Sequence, residues 1–231
     1  MTAANTSRTE DVALALRADI LGGLRLPGER VQLDELRQEF GVSLSPIREG
    51  LARLVGEGLV IPVGQRGYRV APISVEEFLD VKAQRLELEV KALRESIRRG
   101  GEDWELALMT AYQKLKNFEA KRWQADEIGA WEERHHVFHR TLVSACGSPI
   151  LMKFCDYLHG MGDRYRRVVV KSQEPDRDVT EEHQAMYDAA LARDGRRAGE
   201  VLHQHIERTG QAVLGLMRAR EAQAAPGGDA R

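Results

Sequence analysis

The stretch Leu33-Asp-Glu-Leu-Arg-Gln-Glu-Phe-Gly41-Val-Ser-Leu-Ser45-Pro-Ile-Arg-Glu-Gly-Leu-Ala-Arg-Leu54 decides the fold. Leu33, Leu36 and Phe40 share one face of a short helix, and Gly41 supplies the left-handed stop. Ser45, with Pro46 behind it and Glu49 further on, reads as a capping-box start for a second helix. Ile47, Leu51 and Leu54 line the buried face of that helix, and Arg48 and Arg53 lie on the other. Helix, glycine turn and second helix make a helix-turn-helix, whose second helix enters the major groove of DNA and contacts base edges with its first turn. Downstream, Leu59-Val60-Ile61 and Tyr68-Arg69-Val70 flank Gly64-Gln65-Arg66-Gly67. Two β-prone runs around a glycine-rich, cationic tip predict a hairpin wing.

Working outward, Asp11 to Gly22 predicts an amphipathic helix behind the reading head, and residues 1–8 a disordered tail. The head is assigned to 9–72, a winged helix-turn-helix. From residue 73 the texture is helical throughout. Helices are expected from Ser74 to about Arg99, Asp103 to Ala125, Asp126 to Ala145, Ser148 to Val170, Thr180 to Arg193 and Arg196 to Arg220. Residues 73–221 are thus expected to form an all-α bundle of about six helices for effector binding and dimerisation, and 222–231 a second disordered tail. The fold class is mainly α.

The 231 residues carry a formal net charge of −2, and residues 1–70 hold nine Arg, no Lys and nine Asp plus Glu. DNA affinity must therefore rest on where the arginines sit and not on a basic domain. Two cysteines are too few for a disulfide framework. No apolar run reaches the ~20 residues that span a bilayer, and the N-terminus lacks an apolar signal segment. The expectation is a cytoplasmic protein without a membrane partner.

In the bundle, His135 and His139 stand at i and i+4, on one helix face, where two imidazoles can share a divalent metal. His183 opens the fifth helix. His203 and His205 are two apart on the sixth, so only one of them can join a common site. The run Glu132-Glu-Arg-His135-His136 departs from the His-Glu-x-x-His arrangement of metal hydrolases, and no phosphate loop or nucleophile motif is present. A regulator is therefore expected rather than an enzyme. A metal-dependent enzyme fused to a DNA-binding head, and a pure metal sensor, are the alternatives.

Leu26-Pro-Gly-Glu-Arg30, Phe40-Gly41-Val42-Ser43, Ser45-Pro46-Ile47-Arg48-Glu49 and Gly58-Leu59-Val60 together resemble the GntR family of bacterial transcription regulators. The helical part resembles the effector (FCD) domain of the FadR subfamily, through Arg85 with Glu89, Phe138-His139, Cys146-Gly-Ser-Pro149 and Glu182-His183 with His205 22 positions later. The resemblance implies a homodimeric repressor that binds a pseudo-palindromic double-stranded operator. Its implied DNA-binding residues are Arg30, Ser43, Leu44, Ser45, Arg48, Arg53, Arg66 and Gly67. It also implies a divalent metal held by His135, His139, His183 and His205, and a small carboxylate effector met by Arg85 with Glu89 beside it; Arg164 and Arg167 on the fourth bundle helix are further effector candidates, with a solvated basic face as the alternative. Two positions depart from the family pattern. His135 replaces the usual Asp or Asn, which favours zinc or nickel over an oxygen-preferring ion. Leu44 replaces an arginine, so a guanine contact gives way to one with a thymine methyl.

Overall fold

The computed structural model describes residues 3–64, 67–121, 127–169 and 179–224. The order of elements among them is α1 (Ala3–Leu21), β1 (Arg30–Val31), α2 (Leu33–Phe40), α3 (Leu44–Gly56), β2 (Val60–Val63), β3 (Gly67–Val70), α4 (Val75–Arg99), α5 (Glu102–Glu119), α6 (Ile128–Val143), α7 (Pro149–Val169), α8 (Val179–Leu191) and α9 (Gly195–Ala224). The chain divides into two compact units. One runs through Ser74 and includes Asp163–Val168, and the other holds Val75–Gly162 and the chain from Val169.

In the first unit Leu36, Ile47, Leu51 and Leu54 are fully buried, and α1 adds Val12, Leu16 and Ile20 to the same core. The α2 face is thus centred on Leu36, with Leu33 and Phe40 half-buried beside it. Gly41 ends α2 at φ 61°, the left-handed conformation expected of it. The three strands form an antiparallel sheet in the order β1-β3-β2. Val60 pairs with Val70 and Val63 with Gly67, which makes the wing; Arg30 pairs with Arg69. Strand β1 was not anticipated, because two residues carry no alternation.

Several local expectations are corrected. Helix α1 starts at Ala3, so residues 3–8 are helical and not a tail. Helix α3 starts at Leu44 with Ser43 as N-cap, two residues before the expected Ser45. Glu49 is drawn away from the backbone: its two carboxylate oxygens accept from the hydroxyls of Ser45 and Thr9, each at 3.0 Å. The pattern Ser45…Glu49 is real, but it links α3 to α1 instead of capping α3. Pro46 still falls in the first turn, where a missing N–H costs nothing. Thr180 lies inside α8, not before it. Residues 222–224, expected as tail, extend α9; 225–231 and the expected loop 171–178 lie outside the described residues.

The second unit is a bundle centred on Leu93 of α4, Leu108 and Leu115 of α5, Phe138 and Leu142 of α6, and Leu202 of α9. Ser148 caps α7 through the Leu151 N–H, at 3.2 Å. Between α8 and α9, Arg193 turns the chain at φ 59°, and Asp194 then caps α9 by accepting from the Arg197 N–H at 2.8 Å. That turn makes α8 and α9 a helical hairpin, and it positions the histidines considered next.

A close approach holds α1 to α3. A Cβ at Gly50 would stand 3.2 Å from Val12 Cγ1 and 3.4 Å from the Thr9 carbonyl oxygen. Gly50→Val is therefore expected to lower the stability of the head by ~1–3 kcal/mol through overpacking, measured by denaturant unfolding. An unchanged midpoint would show that α1 is not seated on α3.

Candidate DNA interface and histidine centre

The head resolves the charge problem raised by its composition. Arg17 pairs with Glu57, Arg25 with Asp19 and Glu39, and Arg37 with Asp34. Glu29 accepts from the Leu26 N–H at 2.7 Å, and Glu49 is engaged by Ser45 and Thr9. Internal partners thus occupy most of the acids. Arg30, Arg48 and Arg53 are exposed and form no ion pair among the described residues. Ser43 and Ser45 are exposed and Leu44 half-exposed at the start of α3, one turn before Arg48. Gly67 opens β3, with the Val63 carbonyl oxygen 3.0 Å from where a Cβ would stand. Arg66 lies outside the described residues. Sequence reading missed Arg69, exposed and directly opposite Arg30 across β1 and β3. Two like charges facing each other across a ladder repel, and an anion laid against both relieves the repulsion. Arg69 is also held by the Gly28 carbonyl, at 2.8 Å.

In the bundle, the structure brings His135, His139, His183 and His205 into one buried cluster. One ligand atom from each lies within 4.8 Å of every other. That is a little more than twice the ~2.0–2.1 Å bond from zinc to imidazole nitrogen, so modest side-chain movement lets one ion reach all four. The i, i+4 spacing brings the rings of His135 and His139 to 4.3 Å between centroids, their planes tilted by 53°. His183 stands ten residues before the Arg193 turn and His205 twelve after it. At ~1.5 Å rise per residue, the α8–α9 hairpin brings them to similar height, and their centroids are 5.2 Å apart. His203 is exposed, as two-residue spacing requires, and His136 is half-buried against His159.

The donor set suits a metal. The His183 Nδ1 lies 3.0 Å from Glu119 Oε1, and the His205 Nδ1 lies 2.8 Å from Glu182 Oε2. A carboxylate on one ring nitrogen directs the other towards an ion and raises its basicity. The Nε2 atoms of His139 and His183 are buried with no hydrogen-bond partner, an arrangement that is costly unless something accepts them. Burial, followed by the charges of His205, His183, His159 and Arg85, holds His139 well below the ordinary histidine range. It is therefore a neutral donor near pH 7.

Next to the cluster, Arg85 donates to Glu89 at 2.6 and 3.3 Å and to His159 Nδ1 at 3.2 Å. Burial alone would push Glu89 up. The charge of Arg85, helped by His159, overrides it and holds the carboxyl at about 2. Arg164 is fully buried in the first unit and donates to the carbonyls of Ala71 and Pro72. Arg167 is half-buried, with Gly22 alongside it. His159 and Glu119 were not singled out from the sequence, since no local spacing links them to the histidines; Trp131, four residues before His135 on α6, carried an i, i+4 signal that was passed over.

A winged helix-turn-helix followed by a helical bundle is the architecture of a DNA-binding transcription regulator. Residues 8–70 match the bacterial regulatory proteins of the gntR family, and residues 80–208 match the FCD domain. The chain belongs to the GntR family, with an FCD domain as its second part. It is 38% identical over 208 residues to the uncharacterized HTH-type transcriptional regulator BphR of Paraburkholderia xenovorans strain LB400, covering 88% of this chain and 84% of that one. It is 35% identical over 195 residues to the HTH-type transcriptional repressor GlaR of Escherichia coli K12, covering 83% and 89%. The fold is shared with E. coli McbR/YncC at a TM-score of 0.76 and 20% identity, over 94% of this chain and all of that one. Among the described residues no helix is long and apolar enough to cross a membrane.

In the Arg85–Glu89 pair the carboxylate is buried and the guanidinium mostly so. Removing one partner strands the other charge, so Glu89→Ala is expected to destabilise the bundle by ~3–5 kcal/mol in urea unfolding. A loss below ~1 kcal/mol would show the pair to be solvated.

Proposed function

We propose that this DNA-binding regulator is a homodimeric repressor whose operator affinity falls when a small organic acid binds in the bundle, at a divalent metal centre. The buried four-imidazole cluster carries the reading. Neutral nitrogen donors favour zinc or nickel, and His135, His139, His183 and His205 hold the ion. When bound, such an ion supplies a Lewis-acidic position for a carboxylate oxygen. Arg85, kept in place by Glu89, adds a cationic contact. The name of the GlaR relative supports repression. A ligand alters operator affinity only through different affinities for the two arrangements of the heads.

On the DNA side, Arg48 reads a base edge from α3, Ser43, Leu44 and Ser45 lie at the entry of that helix, and Arg53, Arg30 and Arg69 approach phosphates. Two heads on a two-fold axis match a pseudo-palindromic operator. A second reading takes the metal itself as the effector. It is favoured by the fact that four imidazoles complete a four-coordinate shell. In that case operator affinity follows zinc concentration with no organic acid present.

Arg48→Ala is expected to weaken operator binding by ~1–3 kcal/mol without changing the unfolding midpoint, measured by fluorescence anisotropy. Equal affinity would remove α3 from the groove. Elemental analysis of protein purified without chelators should find zinc or nickel near one per chain, lost in His139→Ala, whose operator binding persists but no longer responds to effector. A His139→Ala protein that keeps both metal and response places the centre elsewhere.

A further inference from the structure

The four imidazoles are backed by a second tier of side chains, and one member differs from the rest. Glu119, at the end of α5, accepts from His183 Nδ1 through Oε1, and the same oxygen accepts the Trp131 indole N–H at 3.0 Å. An indole nitrogen can only donate and an ionised carboxylate can only accept, so an ionised Glu119 takes both bonds. A neutral His183 then carries its proton on Nδ1 and its lone pair on the buried, unpartnered Nε2. Trp131 in turn stacks on His135, with centroids 4.7 Å apart and planes 27° from parallel. One carboxylate thus orders two of the four rings, His183 directly and His135 through the indole.

Its charge is as informative as its bonds. The Glu119 side chain is 4% exposed, and its second oxygen, Oε2, is buried without a hydrogen-bond partner. Its hydrogen-bond partners are an indole and an imidazole, and it forms no ion pair with Lys or Arg among the described residues. Glu182, the counterpart behind His205, is matched by Arg208 at 2.9 Å. A buried carboxylate without a Lys or Arg partner is unfavourable unless another positive charge stands nearby.

We propose that Glu119 is the positioning residue of the metal centre. It sets the tautomer of His183, orients His135 through Trp131, and provides from behind the imidazoles the negative charge that an all-histidine donor set lacks. This rests on the reading of the four histidines as a metal site.

The test is zinc affinity of the full-length chain, measured in competition with a chromophoric chelator. Glu119→Gln keeps an acceptor oxygen but removes the charge, and is expected to weaken zinc binding 10- to 100-fold. The metal-free thermal midpoint should stay near that of the wild type. Trp131→Phe preserves a ring against His135 but removes the N–H that holds Glu119, so a smaller loss in the same direction is expected. Should Glu119→Gln fail to fold, the Trp131→Phe titration decides. Wild-type zinc binding with both variants equally tight overturns the role of Glu119 and leaves the metal centre standing. A wild-type protein that binds no zinc overturns both.

Discussion

The bundle depends on how four imidazoles tolerate burial together. His135, His139, His183 and His205 are each 6% exposed or less, and Phe138, Leu142 and Leu202 of the apolar core lie on the same helices. Imidazoles in such a place cannot all be protonated, since their charges would repel at centroid distances of 4.3 to 6.0 Å. Nor can neutral rings be left with unmet nitrogens cheaply. Glu119 and Glu182, on α5 and α8, meet one nitrogen each of His183 and His205. The Nε2 atoms of His139 and His183 stay buried without a hydrogen-bond partner, and a shared cation would satisfy both. The helices that supply the rings are therefore held by the same requirement that builds the centre.

The head follows a different economy of charge. Nine arginines and nine acids cancel in composition, yet the acids are largely engaged inside the unit. Arg17, Arg25 and Arg37 are matched there, while Arg30, Arg48 and Arg53 are not. A neutral domain can thereby present a cationic face. Its long-range attraction for DNA remains weak, because opposite charges cancel at a distance and salt screens what is left beyond ~8–10 Å. Recognition then rests on short-range contacts, and these depend on the register of α3 more than on total charge.

The helix-turn-helix, the wing and the helical bundle were legible because each has a local signature: Gly41 at the turn, apolar spacing along α2 and α3, and Ser148 before α7. Grouping the histidines drew on the i, i+4 pair for two of them and on family resemblance for the others. The misplaced start of α3 has a local cause. Ser45 and Glu49 are four apart, one more than a capping box spans, so Glu49 accepts from the Ser45 and Thr9 hydroxyls instead and the helix starts at Leu44 behind Ser43. Strand β1 is defined by its pairing with β3 and by nothing within its two residues. Glu119 was illegible for the same reason, since its relation to His183 is made by the packing of α5 against α8, whereas Trp131 sits one helical turn before His135 on α6 and could have been found by that spacing.

The Arg85–Glu89 pair bears on how an anionic effector could be held. Arg85 is the cation nearest in kind to a carboxylate receptor, but Glu89 already matches its charge and lies about one hydrogen bond away. The pair is neutral as a unit, so it offers an arriving carboxylate little net attraction to repay stripping that anion of water. Imidazoles that ligate a metal are neutral and offer none. Under the proposed reading, the positive charge that draws an organic acid into the bundle must therefore come from the metal ion. Metal and acid are then coupled requirements, with Arg85 selecting the orientation and the ion providing most of the attraction.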